Sequence, residues 1–110
     1  MTFKERMRRR QTRAVAVDGE TLTVTALSAR DWVTFSDALA RGPDGKTDGL
    51  DFLVRLVVAT TRGPDGAAAF TEADVAWLKD EADVGPLRQL FDTACALNGI
   101  GTAEEARVKN

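Results

Sequence analysis

The sequence predicts an α+β fold, a mostly helical single domain with an N-terminal β-hairpin followed by four to five helices. Three observations carry this prediction. An alternating stretch over residues 13–25 has Asp18-Gly19 at its centre, and several later segments open on helix-capping residues followed by apolar positions three and four apart. The chain has 110 residues, about the size of one domain, and should bury roughly 65 % of its unfolded surface without staples or metal.

The hairpin comes first. Val15 and Val17 alternate with small residues before Asp18-Gly19, and Leu22 and Val24 do so after it. Asp-Gly suits a two-residue primed turn, because both residues tolerate positive φ. In that register Val17 opposes Glu20 and Val15 opposes Leu22, so all four aliphatic side chains share one side, which should lie against helices.

A helix over 29–40 opens on Ser28, whose hydroxyl can accept from the backbone of Asp31, with Leu27 and Trp32 as a hydrophobic staple. Trp32, Phe35 and Leu39 share its inner face, and Arg41-Gly42-Pro43 reads as a cation, a left-handed cap and a stop. A second helix spans 48–62 and is expected to stop in the same way. Arg41-Gly42-Pro43-Asp44-Gly45 recurs as Arg62-Gly63-Pro64-Asp65-Gly66, which we read as repeated turn chemistry. Neither copy ends in the Gly-Lys-Ser/Thr of a phosphate loop. Thr71 with Asp74 caps a helix over 72–81, with Phe70 and Val75 as its staple. A helix over 85–98 carries the stripe Leu87, Leu90, Phe91, Ala94 and Leu97 and ends at Asn98-Gly99, and Thr102 with Glu105 caps a short helix over 103–108.

Composition narrows the chemistry. Cys95 is the single cysteine, and histidine and tyrosine are absent. That leaves no intrachain disulfide, no Cys/His zinc site and no His-assisted nucleophile. Carboxylates are the remaining candidates for catalysis, and the densest set is Asp80, Glu81 and Asp83. Its spacing does not match a calcium loop and reads as a solvated connection. Cys95 reads as a small core residue at the edge of the apolar stripe. We expect no catalytic residue, no metal site and no cofactor. No apolar run is long enough to span a membrane, no secretory leader is evident, and a cytoplasmic protein is expected.

Charge is divided unevenly along the chain. Lys4, Arg6, Arg8, Arg9, Arg10 and Arg13 against Glu5 give residues 1–13 a net +5, leaving 9 cations and 16 anions, net −7, for the remainder. Residues 1–12 are therefore expected as a flexible basic arm ahead of one domain over 13–110. Such an arm stays solvated, docks on an acidic protein surface or neutralises phosphates, and the acidic body argues against nucleic acid.

The predicted helix over 48–62 is apolar nearly all round. Leu50, Leu53, Val54, Val57 and Val58 form one face, Phe52 and Leu56 lie on another, and Asp51, Arg55 and Arg62 mark a polar side. A helix of this kind is either central to the domain or shares a face with a partner. Trp77 poses a similar choice, because Val75, Leu78 and Ala82 define the inner face of its helix and the indole points away: it packs under the preceding loop or stands partly exposed as an interface anchor. Phe52, Leu56 and Trp77 are the candidate partner-binding residues.

Taken end to end, the order resembles the tail assembly chaperones of long-tailed bacteriophages and prophages. The matching pieces are the hairpin Val15 to Val24, Leu27-Ser28-Ala29-Arg30-Asp31-Trp32 and the aliphatic second helix. Arg62-Gly63-Pro64-Asp65-Gly66 leading to Phe70-Thr71-Glu72-Ala73-Asp74-Val75 follows, and then Ala96-Leu97-Asn98-Gly99-Ile100 with Glu104-Glu105 and Lys109-Asn110. The likeness covers residues 13–110, and the basic arm departs from the family pattern.

The resemblance implies a non-enzymatic protein of the host cytoplasm, absent from the mature virion. Such a protein binds and solubilises the tape measure protein during tail morphogenesis, either as a homo-oligomer or as several copies coating one partner. It also implies recruitment of the tail tube protein through a longer, frameshifted form. A permanent head-tail or neck adaptor and a small nucleic-acid-binding regulator are the alternatives.

Overall fold

The structure, a computed structural model, describes residues 2–8 and 10–100. In chain order it contains helix α1 (Phe3–Arg8), strands β1 (Thr12–Val17) and β2 (Glu20–Thr25), and helices α2 (Ala29–Ala38) and α3 (Gly49–Thr60). Strand β3 (Thr61–Arg62), a 3-10 turn (Glu72–Asp74) and helices α4 (Val75–Asp80) and α5 (Val84–Leu97) follow. This is the predicted α+β class. Among the described residues, no helix is long and apolar enough to cross a membrane. The helix predicted over 103–108 lies outside the described residues. Residues 1–12, expected as a flexible arm, contain α1, whose first turn is held by the Thr2 hydroxyl accepting from Glu5 N–H at 3.2 Å.

The hairpin has the predicted register, Val17 opposite Glu20 and Val15 opposite Leu22. Asp18 and Gly19 take φ of 49° and 81°, so both turn residues are left-handed as a primed turn requires. Val15 and Val24 are buried, Val17 and Leu22 pack at the edge of the core, and Gln89 of α5 donates to Ala16 O at 3.3 Å.

The helix predicted over 48–62 ends earlier, and its last two residues become β3. Thr61 pairs with Val24 and Arg62 with Thr23, giving a three-stranded antiparallel sheet in the order β1-β2-β3. The β-branched pair Thr60-Thr61 favours leaving the helix. An extended backbone at Thr61 lets β3 pair the otherwise open edge of β2.

Gly42 and Gly63 are not left-handed helix caps. The positive φ falls three residues later, at Gly45 (79°) and Gly66 (83°). In each copy the final Gly N–H bonds back to the first Gly carbonyl at 3.0 Å, and the first Gly N–H reaches Lys46 O (2.7 Å) or Ala67 O (2.8 Å). Asp44 Oδ1 accepts from Lys46 N at 3.0 Å and Asp65 Oδ1 from Ala67 N at 3.1 Å. The repeated motif is thus a Pro-led turn closing a miniature hairpin, bridged by Arg41 with Thr47 and by Arg62 with Ala68.

Capping follows the sequence closely elsewhere. Ser28 Oγ accepts from Asp31 N at 3.1 Å, and Asp74 Oδ2 accepts from Thr71 N at 2.8 Å. The segment predicted as one helix over 72–81 is a 3-10 turn followed by α4. Helix α5 closes with Gly99 at φ 68° and Ile100 N–H on Cys95 O at 2.9 Å, a Schellman arrangement. Asn98 Oδ1 accepts from Leu27 N at 2.7 Å, tying that end of α5 to the start of α2.

Helix α3 is central. Val54, Leu56 and Val57 are fully buried among Val24, Leu78, Leu90 and Ala94. A run of rings fastens α2 to α3 and α5: Trp32 to Phe35 at 5.2 Å, Phe35 to Phe52 at 5.6 Å and Phe52 to Phe91 at 5.9 Å between centroids. Phe52→Ala is expected to cost about 2–4 kcal/mol, because it removes two aromatic contacts and opens a void where three helices meet; urea denaturation measures it. Conversely, Thr61 Oγ1 is buried with no hydrogen-bond partner. Thr61→Val removes that unpaired hydroxyl at nearly constant shape, and the same titration should show a gain of about 1 kcal/mol.

Candidate binding surface

Helix α4 presents three residues in three directions. At about 100° per residue, Trp77, Leu78 and Lys79 point respectively outward, into the core and toward α3. Leu78 is buried, and Trp77 is 56 % exposed. The orientation of α4 is fixed by Lys79, whose Nζ lies 2.7 Å from Asp51 Oδ1 on α3.

Asp51 is the hub of this region. Its carboxylate is buried and also accepts from Ala40 N–H at 2.7 Å and from Arg55 Nε at 3.0 Å. Arg55 Nη1 continues to Glu72 at 2.7 Å. The polar side of α3 therefore faces inward and is satisfied by ions and a backbone amide. The bond to Ala40 also accounts for α2 ending at Ala38, because the chain turns to aim that amide at the carboxylate.

Burial raises the Asp51 pKa, but the bonds from Ala40, Lys79 and Arg55 outweigh it and hold the carboxyl below its ordinary value. A depressed folded pKa means that Asp51 stabilises the fold above the unfolded carboxyl pKa, a contribution lost as pH falls through the folded value. Asp51→Asn should cost about 2–4 kcal/mol near neutrality, because Lys79 and Arg55 lose their anion. Denaturant titrations at neutral and acidic pH should also show a weaker acid dependence for the variant than for the parent chain.

Trp77 stands over a groove of about 530 Å³ between the hairpin, the loop before the 3-10 turn, α4 and the start of α5. Its apolar lining includes Val17, Leu22, Phe70, Leu78, Leu87 and Leu90, and its rim carries Asp18, Glu20, Glu81 and Asp83. All four of those carboxylates are exposed, and among the described residues no cation lines the groove. Trp77 is thus an exposed ring at the lip of a recess, not a side chain packed beneath the preceding loop.

The other two candidate residues lie elsewhere. Leu56 is fully buried in the core, because α3 is covered on that side, so it offers no surface to a partner. Phe52 is partly buried and spends its ring on Phe35 and Phe91. The structure brings neither to Trp77's groove. Phe70, Leu87 and the acidic rim escaped the sequence reading, which treated the hairpin turn and the α4–α5 connection separately. The available signals are the net −7 of the body and the carboxylate-dense stretch from Asp80 to Asp83.

Cys95 is buried, and burial with a smaller contribution from Asp92 pushes its thiol up to about 11, so it is a packing residue. Among the described residues, no group of three or more carboxylate or thiol side chains is gathered to hold a metal ion.

No protein-family model matches the chain, and no curated protein matches it. Among solved structures, the chain is similar to the tail assembly chaperone of bacteriophage HK97, with a TM-score of 0.49 and 15 % identity over 76 % of this chain and 85 % of that one.

Proposed function

We propose that this chain is a tail assembly chaperone of a long-tailed bacteriophage or prophage, a non-enzymatic protein that holds an amphipathic helix of the tape measure protein in the Trp77 groove. The observation that carries the reading is the exposed Trp77 at the lip of an apolar recess of about 530 Å³. A recess of this kind takes apolar side chains from one face of a helix, and a tryptophan at its edge is the residue type that most often anchors such contacts. The rim carboxylates favour a partner whose apolar stripe is flanked by cations. The viral context rests on the resemblance of residues 13–110 to that family. In this reading the protein acts in the host cytoplasm and departs before the tail is complete. Several copies coat one tape measure and add modest affinities through multivalency, while a longer product recruits tail tube subunits.

Co-expression with the tape measure protein encoded in the same genome, followed by affinity capture and sizing, tests the reading. A soluble multi-copy complex is expected where the partner alone is insoluble. Trp77→Ala should weaken capture about tenfold or more while changing stability by less than about 1 kcal/mol, since the indole is exposed. Equal capture by the variant would remove the groove from the mechanism. Persistence of the protein in purified virions would replace the chaperone with a structural adaptor.

A further inference from the structure

The two ends of the hairpin carry opposite charge. Asp18, Glu20, Glu81 and Asp83 stand around the Trp77 groove at the Asp18-Gly19 end. Cations gather at the Thr12 end, where Gln11 O accepts from Ala26 N. Six-residue strands at about 3.3 Å per residue separate those ends by nearly 20 Å. That is more than twice the Debye length of about 8 Å at physiological ionic strength, so the acidic rim is largely screened from the basic end. The net −7 of the body therefore does not describe the field at that end.

Two adjoining recesses make up the basic end. Arg6, Arg10 and Arg13 line one of about 580 Å³, beside Leu97. Arg10 and Thr12 continue into the other, of about 430 Å³, where Arg62 joins Thr23 and Thr25. The strand register explains the arrangement. Arg13 pairs with buried Val24 and so lies on the core face of the sheet, whereas Thr12 pairs with Thr25 and Thr23 with Arg62 on the opposite face. The cations thus reach both faces of the sheet. Among the described residues, Asp31 is the one carboxylate lining either recess, and neither Arg13 nor Arg62 forms an ion pair.

The lining selects a class of polyanion. Guanidinium groups and threonine hydroxyls are donors, and a phosphate accepts from several donors at once. An acidic protein segment would also bring apolar side chains, which need a floor such as that of the Trp77 groove; here Leu27, Pro64 and Leu97 are dispersed among polar groups. No aromatic ring lines either recess among the described residues, so unpaired bases have no platform to stack on. We propose that this end of the chain binds the phosphodiester backbone of duplex nucleic acid without regard to sequence. Arg6, Arg10, Arg13 and Arg62 neutralise phosphates, and the threonine hydroxyls donate to them. The activity is separate from the Trp77 groove and does not depend on what the groove binds.

Fluorescence anisotropy of the full chain with a labelled duplex of about 20 base pairs, over a series of salt concentrations, tests it. Neutralising four phosphates predicts that affinity falls about a hundredfold between about 50 and 200 mM salt, and that a second duplex of unrelated sequence binds equally well. Arg13→Gln and Arg62→Gln should each weaken binding severalfold for both sequences and reduce the salt slope by about one. Arg62→Lys keeps the charge and should bind nearly as the parent does. Circular dichroism checks that each variant is folded. Arg62 is the discriminating position, because it belongs to β3 and not to the basic opening segment. Binding that is unchanged in Arg62→Gln assigns the contact to the opening segment alone and overturns the site. Equal binding of poly-glutamate overturns the choice of phosphate in favour of an acidic protein surface. No binding at low salt overturns the proposal outright. Trp77→Ala should leave duplex binding unchanged, and a loss there would overturn the separation of the two surfaces.

Discussion

The buried carboxylate of Asp51 fixes the relation between elements that are distant in the chain. It gathers the Ala40 amide from the α2–α3 connection, Arg55 from its own helix and Lys79 from α4. An unpaired carboxylate at that depth would cost more than the surrounding packing supplies, so each donor must keep its place. Arg55 extends the constraint to the 3-10 turn through Glu72, although that pair is weak by itself because Glu72 is largely exposed. The apolar core alone would permit α4 to slide or rotate over α3, since aliphatic contacts have no direction. The ion cluster supplies the direction, and the position of Trp77 follows from it two residues before Lys79.

Local features were legible in the sequence to the level of single hydrogen bonds. The Asp18-Gly19 turn dictated the hairpin register, and Ser28 and Thr71 with Asp74 marked where helical structure begins, because these signals depend on a few neighbouring residues. Features that depend on distant partners were not legible. Asp51, Arg55 and Arg62 share a polar stripe on the helical wheel, and a polar stripe ordinarily faces water; nothing in the wheel shows that Lys79 and the Ala40 amide converge on it. The strand at Thr61-Arg62 is only two residues long and is defined by pairing with β2, so no periodicity marks it. The same limit applies to Leu56 and Trp77. Both read as surplus apolar positions, and only the packing separates the buried one from the exposed one.

The repeated Arg-Gly-Pro-Asp-Gly motif illustrates how one local signal can be read two ways. Gly after a cation at the end of an apolar periodic segment suggests a helix cap, and Gly three residues beyond suggests a turn. The structure selects the turn in both copies, with the Asp side chain accepting from the backbone two residues on. In the second copy the turn carries the chain away from β3 and back across it, Ala69 N donating to Thr61 O at 3.1 Å, before Phe70 reaches the groove. The motif thus delivers one wall of the groove as well as closing a turn.

The charge on its rim sets what the groove could accept. An apolar recess alone would accept any exposed hydrophobic segment, including those of misfolded proteins, and the energy of burying a few side chains discriminates poorly between them. Four carboxylates on the rim, with no cation in the lining among the described residues, would penalise acidic segments and favour basic amphipathic ones.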